Sequence, residues 1–316
     1  MDHVITTRNL SKTYNGVQAL AGLNLDVPRH AVVGFLGPNG AGKSTAIRLL
    51  LGLIRPTAGS ATIFGLDTVR NSLDIRRRVG YLAQQPRFYD YMTVHETLDF
   101  TARLFFKEAK VARRRRVDEA LALVDLEAKA DRKVRGLSGG ELQRLGIAQA
   151  QINQPELLIL DEPAAALDPM GRLAVLNIIQ SLRERATIFF STHILDDVQR
   201  VSDHLVILNR GEMVTQGPID ALLNSGGQPT YHVLLEGSAE RAAARLRQQR
   251  WISHVHEQAD DRWQHWRITV SDDARARRDL LRLILKDEDI NVVRFGQESA
   301  ELEDVFMQLV GGEARS

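Results

Sequence analysis

Cysteine and long apolar runs are both missing from this sequence of 316 residues. Without cysteine the chain can form neither a disulfide bond nor a cysteine-ligated zinc or iron–sulfur site, which fits a reducing compartment. No apolar run approaches the roughly 18 residues that cross a bilayer, so we expect another chain to supply any membrane-spanning part. The first residues lack a basic stretch followed by an apolar one, so we expect no secretory signal there.

A strong charge of either sign is also missing. The formal net charge is +1, which gives no general attraction to nucleic acid or to an acidic membrane surface. Hydrophobic residues make up 44% and charged residues 26% of the chain, the proportions of an ordinary globular protein. The length favours two domains.

Residues 1–224 alternate short β-rich runs with helical ones, the pattern of a layered α/β domain. Continuous apolar runs predict buried strands at 31–37, 156–163 and 186–193, and the first residues of the chain predict an antiparallel sheet. A mainly helical subdomain is expected over about 87–150.

Four consecutive arginines occupy positions 113–116 of that helical stretch. They could mark a site for anionic lipid or nucleic acid. The spacing of Val117, Leu121 and Val124 instead favours a helix that turns an apolar face inward and keeps a solvated basic face.

The composition changes at a turn-rich linker, residues 225–230, and strands and helices then follow in the order β-α-β-β-α-β over 231–316. That order predicts a small α+β domain of ferredoxin-like fold. A last helix is expected over 300–310.

Three histidines of this small domain, His254, His256 and His265, lie on two strands predicted to be neighbours. A metal site across the strands is conceivable, but a shift of one residue in the pairing would place His265 on the opposite face. We favour a structural role for these histidines and expect no metal in this domain.

Residues 37–44, GPNGAGKS, match the pattern G-x-x-x-x-G-K-[ST] and stand between a predicted buried strand and a predicted helix. This is the context of a P-loop, whose glycines let backbone N–H groups face phosphate oxygens. Lys43 would bind the β- and γ-phosphates of a nucleotide, and Ser44 would offer its hydroxyl to Mg²⁺. The expected nucleotide-binding residues of the loop are Gly37, Pro38, Asn39, Gly40, Ala41, Gly42, Lys43, Ser44 and Thr45.

A P-loop requires a carboxylate that holds Mg²⁺ at the end of a neighbouring strand. Asp161 ends the apolar run LLILD and has this position. Glu162 follows on the other side of the pleat, and it could orient or deprotonate the water that attacks the γ-phosphate.

A second anion-binding turn stands in LSGGE, residues 137–141, before another helical run. The start of a helix presents unpaired N–H groups and the positive end of a dipole, so Ser138, Gly139 and Gly140 could bind a phosphate. We call these three residues the 138–140 turn. A chain that already has a P-loop does not need a second phosphate-binding turn to hold a single nucleotide.

Taken together, these segments resemble the ABC-type ATPases over residues 1–224. The resemblance implies that Tyr14 stacks on adenine, that Gln84 rather than Gln85 contacts Mg²⁺ and the attacking water, and that His193 lies near the γ-phosphate. It also implies that Asp168 belongs to a loop that crosses a dimer interface, and that the 138–140 turn closes over the γ-phosphate held by Lys43 of a second copy. The implied catalytic residues are Glu162, His193 and Gln84, and the implied Mg²⁺ ligands are Ser44, Gln84 and Asp161.

Two departures from the family pattern are visible. The motif reads LSGGE rather than LSGGQ, and Ala164 and Ala165 replace the more usual Thr-Ser or Thr-Ala. Neither removes a phosphate ligand, a metal ligand or the expected base, so we expect hydrolysis at both sites of a homodimer.

Three classes of ABC protein compete for this chain: the ATPase subunit of a membrane transporter, a soluble ATPase acting on DNA or ribosomes, and a regulatory module without hydrolysis. The short interval between Lys43 and Ser138, the single P-loop and the absence of cysteine argue against the second class. Glu162 and His193 argue against the third. We therefore expect a transporter ATPase.

The segment after His193 and the small C-terminal domain resemble the ATPases of two-component exporters of the ABC-2 type, whose permease is a separate chain. Import or lipid trafficking is the alternative, and the sequence selects no substrate. The resemblance implies ATP and Mg²⁺ as cofactors, and a second copy or a homologous ATPase subunit and a membrane permease as partners, with no nucleic acid. The expected location is the cytoplasmic face of the inner membrane.

The expected permease contact is the aromatic stretch that follows Gln84, with Tyr89 and Tyr91 near its start. Core packing must use some of its aromatic side chains. Those beside a loop that contacts the γ-phosphate site are nevertheless well placed to bind a permease and transmit closure.

Overall fold

The structure, a computed structural model, describes residues 2–107, 110–224, 228–237, 239–260, 263–286 and 290–298, together with Phe306. The chain divides into two compact units, residues 1–219 and 220–316. The division falls before the turn-rich linker expected from the composition. Each unit has its own sheet structure and its own hydrophobic core.

The first unit contains strands and helices in alternation. In chain order they are β1 (His3–Tyr14), β2 (Val17–Leu23), β3 (Asp26–Pro28), β4 (Val32–Leu36), α1 (Lys43–Leu50), β5 (Ala58–Ile63), β6 (Leu66–Asp67), α2 (Ser72–Arg78), β7 (Val79–Leu82), α3 (Val94–Phe105), α4 (Lys110–Leu123), α5 (Gly139–Gln151), β8 (Leu157–Asp161), α6 (Pro169–Leu182), β9 (Thr187–Thr192), α7 (Leu195–Val201), β10 (His204–Asn209) and β11 (Glu212–Pro218). Two 3₁₀ turns, Glu127–Lys129 and Val134–Gly136, precede α5.

A six-stranded sheet forms the centre of this unit, in the order β11-β10-β4-β9-β8-β7. Its neighbours are parallel except for the edge strand β11. Every residue of β4, β8 and β9 is buried, because helices cover a parallel sheet on both faces. The three predicted buried strands correspond to β4, β8 and β9, and the carboxyl ends of the parallel strands lie at one edge of the sheet.

The second sheet of this unit is antiparallel and joins β2, β1, β5 and β6, with β3 paired to β1. Its apolar face shares one core with α1 and the central sheet, in which Ile5, Leu20, Phe35 and Ile47 are fully buried. The antiparallel sheet expected at the start of the chain is therefore present, and it packs directly over the helix that follows the P-loop.

The helical part comprises α3, α4 and α5. Val117, Leu121 and Val124 are buried, as their spacing predicts. Arg113 of the arginine run lies 2.6 Å from Asp99 of α3, so this arginine joins two helices rather than facing solvent. Burial alone would raise the pKa of Asp99, but hydrogen bonds from Arg113 and Arg103 outweigh it and hold the pKa below its usual value.

The second unit begins within α8 (Ile219–Asn224). It continues through β12 (Thr230–Glu236), α9 (Glu240–Arg247), β13 (Ile252–Ala259), β14 (Gln264–Val270), α10 (Asp273–Ile284) and β15 (Asn291–Glu298). The antiparallel sheet has the order β13-β14-β12-β15, which is the strand order of a ferredoxin-like fold. The helix expected over 300–310 lies outside the described residues apart from Phe306.

The pairing of β13 with β14 settles the register of the three histidines. His256 lies opposite Arg267 and Gln258 opposite His265, so His254, His256 and His265 share one face of the sheet. Within the part of the chain that the structure describes, however, no group of three His, Asp or Glu residues could hold a metal ion. Among the same residues, no helix is long and apolar enough to cross a membrane.

Candidate nucleotide-binding site

The loop of residues 37–42 leaves the carboxyl end of β4 and enters α1. Gly42 has a φ of +105°, and a Cβ there would lie 2.5 Å from the carbonyl oxygen of Ala19. A Cβ on Gly37 would lie 2.3 Å from the carbonyl oxygen of Leu208. Glycine is therefore required at both positions, because backbone approaches the loop too closely for any side chain.

Lys43 is the first residue of α1 and is only 5% exposed. Its Nζ donates a hydrogen bond to the carbonyl oxygen of Gly37 at 2.6 Å and lies 3.1 Å from Oε1 of Glu162. These contacts hold an ammonium group at the edge of the sheet where the parallel strands end. A fixed positive charge beside helix N–H groups suits a bound phosphate.

Asp161 ends β8 and is buried beside two hydroxyl groups. Ser44 and Ser191 both donate to its Oδ1, at 3.3 and 2.6 Å. Burial and then the negative charge of Asp161 raise the pKa of Tyr81 on the neighbouring strand. A carboxylate next to a serine hydroxyl is a donor set of oxygens, which fits Mg²⁺.

Glu162 leaves the strand in a way the alternation of the pleat did not predict. Its φ is +52°, and its N–H donates to Oγ of Ser191 at 3.0 Å. This left-handed turn carries the carboxylate between two cationic or polar groups: Oε1 faces Lys43, and Oε2 lies 2.8 Å from Nδ1 of His193. The structure therefore brings together Lys43, Ser44, Asp161, Glu162 and His193.

Gln84 and Tyr14 lie at the margins of this cluster. Gln84 follows β7, which pairs with β8 through Leu82 and Leu160, so Gln84 stands at the same edge of the sheet as Asp161. Its side chain is exposed. Tyr14 is the last residue of β1, is 42% exposed, and has Nζ of Lys12 5.0 Å from its ring centroid.

The 138–140 turn stands apart from the P-loop. Ser138 is the N-cap of α5, and it forms a capping box with Glu141: each side chain accepts from the backbone N–H of the other. Ser138 and Gly139 are exposed and Gly140 is half-buried. Among the described residues, no hydrogen bond or ion pair joins the turn to residues 37–45.

The remaining expected site residue, Asp168, is the exposed N-cap of α6 and accepts from the N–H of Gly171 at 2.7 Å. The side chain of Leu167, next to it, approaches Gly140: its Cδ2 lies 4.0 Å from where a Cβ would stand. The loop before α6 and the 138–140 turn thus lie side by side.

Comparison with known proteins identifies the family to which this site belongs. Residues 20–165 match the profile of the ABC transporter family. The bacitracin transport ATP-binding protein BcrA of Bacillus licheniformis is 36% identical over 314 residues, covering 99% of each chain. The daunorubicin/doxorubicin resistance ATP-binding protein DrrA of Streptomyces peucetius is 34% identical over 312 residues, covering 97% of this chain and 92% of its own. The chain belongs to the ABC transporter ATP-binding proteins.

Solved structures agree with this assignment. The ATP-binding cassette MJ0796, in a dimeric post-hydrolysis state bound to ADP and Pi, is 28% identical with a TM-score of 0.63, and covers 68% of this chain and 98% of its own. The cassette cbiO1 of Clostridium perfringens, part of the complex cbiONQ, is 28% identical with a TM-score of 0.64, and covers 71% and 94%. The P-loop ABC ATPase fold and the ATPase class expected from the sequence are confirmed.

One contact of this ABC ATPase was not foreseen from its sequence. Arg172 of α6 lies 2.5 Å from Oδ1 of Asp197 on α7, and Thr192 lies 3.4 Å from Oδ2. Thr192 immediately precedes His193. The contacts of Asp197 with Arg172 and Thr192 therefore connect helix α6 to the segment that carries His193. Burial raises the pKa of Asp197, and Arg172 opposes that shift only in part.

No local signal in the sequence distinguishes Asp197 from its neighbour Asp196. Both are aspartates in the first turn of the short helix α7. Asp197 has a side chain that is 2% exposed and Asp196 one that is 83% exposed, so only the packing of α6 against α7 tells them apart.

Proposed function

We propose that two copies of this ATPase enclose two ATP molecules head to tail, each held by the P-loop of one copy and the 138–140 turn of the other. The observation that supports this arrangement is the placement of the turn: it is an exposed helix start, and no hydrogen bond or ion pair among the described residues joins it to its own P-loop. The dimeric state of the related cassette MJ0796 agrees with it.

Within each site, Lys43 would bind the β- and γ-phosphates, and Ser44 and Asp161, with Gln84, would hold Mg²⁺. When bound, the metal ion would supply positive charge against the phosphate oxygens. Lys43 and Glu162 now form a buried pair, so transfer of the ammonium to a phosphate frees Oε1 of Glu162 for a water molecule. Oε2 stays against His193, which orients the carboxylate as the general base.

Tyr14 stacks on adenine, and Asp168 lies in the loop that crosses between the copies. Leu167 and Gly140 are neighbours, so the crossing loop and the 138–140 turn lie side by side in each copy. Hydrolysis in one site would move both segments together and open the dimer.

We further propose that the dimer drives a separate permease chain at the cytoplasmic face of the inner membrane and that the transporter exports its substrate. The names of BcrA and DrrA, bacitracin transport and daunorubicin/doxorubicin resistance proteins, support an exported drug-like compound as the substrate. The permease contact is a set of exposed rings after Gln84, which we call the aromatic patch: Tyr89, Tyr91 and Phe100.

The rings of the aromatic patch form one surface. The centroid of Tyr89 lies 5.7 Å from that of Tyr91 and 6.3 Å from that of Phe100. Exposed aromatic side chains that contact each other make a rigid apolar surface, the kind that anchors protein interfaces.

Replacing Glu162 with Gln tests the catalytic part of this proposal. Gln keeps the shape of the side chain but cannot accept a proton, so ATP hydrolysis should fall by at least about 100-fold while an ATP-bound dimer accumulates. Hydrolysis rates and size-exclusion chromatography with ATP measure both effects. The exposed Glu184→Gln serves as the matched control. Normal turnover by Glu162→Gln would require another base.

Replacing Tyr89 and Tyr91 with Ala tests the permease contact. The double variant, purified with its permease, should lose transport while ATP binding remains. Leu73→Ala, which removes an exposed apolar side chain outside the aromatic patch, is the control. Unchanged transport by the tyrosine variant would refute the contact.

A further inference from the structure

Glu141 is a buried carboxylate in the first turn of α5, directly beside the 138–140 turn. Its Oε2 accepts the N–H of Ser138 at 2.8 Å, and its own N–H donates to Oγ of Ser138 at 3.4 Å. Glu141 therefore fixes the orientation of Ser138. The same contacts place a full negative charge next to the group that would bind phosphate.

That charge works against the proposed function, on which this inference rests. If the 138–140 turn binds the γ-phosphate held by a second copy, an ionised carboxylate in the same turn repels it. The positive end of the α5 dipole amounts to roughly half an elementary charge, which cannot cancel both the carboxylate and the phosphate. A cation is needed close to Glu141.

Lys129 supplies this cation from a different segment. It ends the 3₁₀ turn Glu127–Lys129, and its Nζ forms an ion pair with Oε1 of Glu141. The side chain of Glu141 is 11% exposed and that of Lys129 is 37% exposed, so the pair is only partly screened by solvent. Across the described ranges of the chain, Lys129 is the one cation that pairs with Glu141.

The geometry points to Lys129 as a positioning residue for ATP hydrolysis by the dimer. It neutralises Glu141, while Glu141 holds Ser138, so the pair presents the 138–140 turn to the partner's γ-phosphate as a neutral unit. Lys129 acts through Glu141 and does not touch the nucleotide bound by its own chain.

The test is a double-mutant cycle on the full-length ATPase with Lys129→Met in two backgrounds. With Glu141 present, Lys129→Met leaves an unpaired carboxylate. We expect the hydrolysis rate at a fixed low protein concentration to fall about tenfold, equivalent to about 1.4 kcal/mol of weaker ATP-driven association. With Glu141→Gln already in place no charge needs neutralising, and Lys129→Met should change the rate less than twofold.

Three controls separate charge neutralisation from a structural role. Lys129→Arg should keep most of the activity in the Glu141 background. Lys133→Met removes an exposed cation from the same segment and should have a smaller effect than Lys129→Met. Binding of a fluorescent ATP analogue to the dilute monomer should be unchanged, because the loss concerns the second copy's nucleotide.

An equal loss of activity from Lys129→Met in both backgrounds would overturn the inference, since the cation would then act independently of Glu141. Ser138→Arg tells this failure apart from failure of the proposed function. If Ser138→Arg hydrolyses ATP normally, the 138–140 turn takes no part in hydrolysis and the proposed function is wrong. If it is inactive but the cycle shows no coupling, only the role of Lys129 is wrong.

Discussion

The two units of this chain differ in whether they bury charge. The first unit buries Lys43, Asp161, Glu162 and Asp197, each held by a hydrogen bond or ion pair. In the described residues of the second unit, no charged residue is buried. Burying a charge is costly unless it is paired, and each of these four groups has a partner. Three of them, Lys43, Asp161 and Glu162, lie together at the candidate nucleotide-binding site.

We expect the largest effect from a substitution that tests whether the second unit has a core of its own. Trp266 is fully buried there, and Trp266→Ala should cost the unit about 3–5 kcal/mol and unfold it. ATP binding by the first unit should survive, because that unit has a core of its own. Limited proteolysis and nucleotide titration measure the two outcomes, with the exposed Val293→Ala as control. Simultaneous loss of ATP binding would show that the units depend on each other.

A smaller effect is expected in the P-loop of the first unit, where the backbone leaves no room for a side chain at Gly42. Gly42→Ala forces a side chain at φ +105° against the carbonyl of Ala19, so ATP affinity should fall by at least about tenfold. Gly40 has a φ of +83°, but no atom of the described residues lies within 4 Å of an added Cβ, so Gly40→Ala should lower ATP affinity about fivefold or less. Isothermal titration with ATP gives both values. Equal losses would mean that strain alone, without the close approach, governs the loop.

The buried ion pair of the first unit should matter more to activity than to stability. Burial outweighs Arg172 and raises the pKa of Asp197, so Asp197→Asn should change the melting temperature little. It should lower hydrolysis about tenfold, because the segment before His193 loses its anchor. Asp196→Asn is the matched control, and hydrolysis should stay near the wild-type rate there. The idea fails if the two aspartate variants behave alike.

An exposed ion pair should have the smallest effect. Glu156 binds Arg78 at 2.7 Å, and Glu156→Gln should lower the unfolding free energy by about 0.5 kcal/mol. The hydrogen bond from Arg78 holds the pKa of Glu156 below its usual value, so the wild-type advantage exists above the unfolded-state pKa and disappears as pH falls through the folded-state pKa. Melting curves of both proteins from neutral to acidic pH measure it. An advantage that grew on acidification would contradict this sign.

The sequence predicted those features of the structure that depend on a local pattern of residues. Continuous apolar runs identified β4, β8 and β9. The strand β7, VGYL, was not predicted because it has only four residues. The strand β10, HLVILN, was also not predicted, although it is as long as β9 and has an apolar centre. In the second unit, all six elements from β12 to β15 follow the predicted order, because an alternating pattern is a local property.

Contacts between segments that are distant along the chain could not be predicted from the sequence. The left-handed turn at Glu162 and the pairing of Arg172 with Asp197 depend on neighbours that no local pattern names. Lys129 and Glu141 likewise meet only because the turn before α5 folds back onto it. The residue types of the site could be predicted, but not the partners that set their charge and direction.

We propose above that the 138–140 turn completes a nucleotide site on another copy. Mixing two inactive variants, Lys43→Ala and Ser138→Arg, tests this arrangement. Half of randomly paired dimers would then join an intact P-loop to an intact turn, so ATP hydrolysis should return to about a quarter of the wild-type rate. A mixture as inactive as its components would show that Lys43 and Ser138 must belong to the same chain, and that the 138–140 turn does not complete a site on another copy.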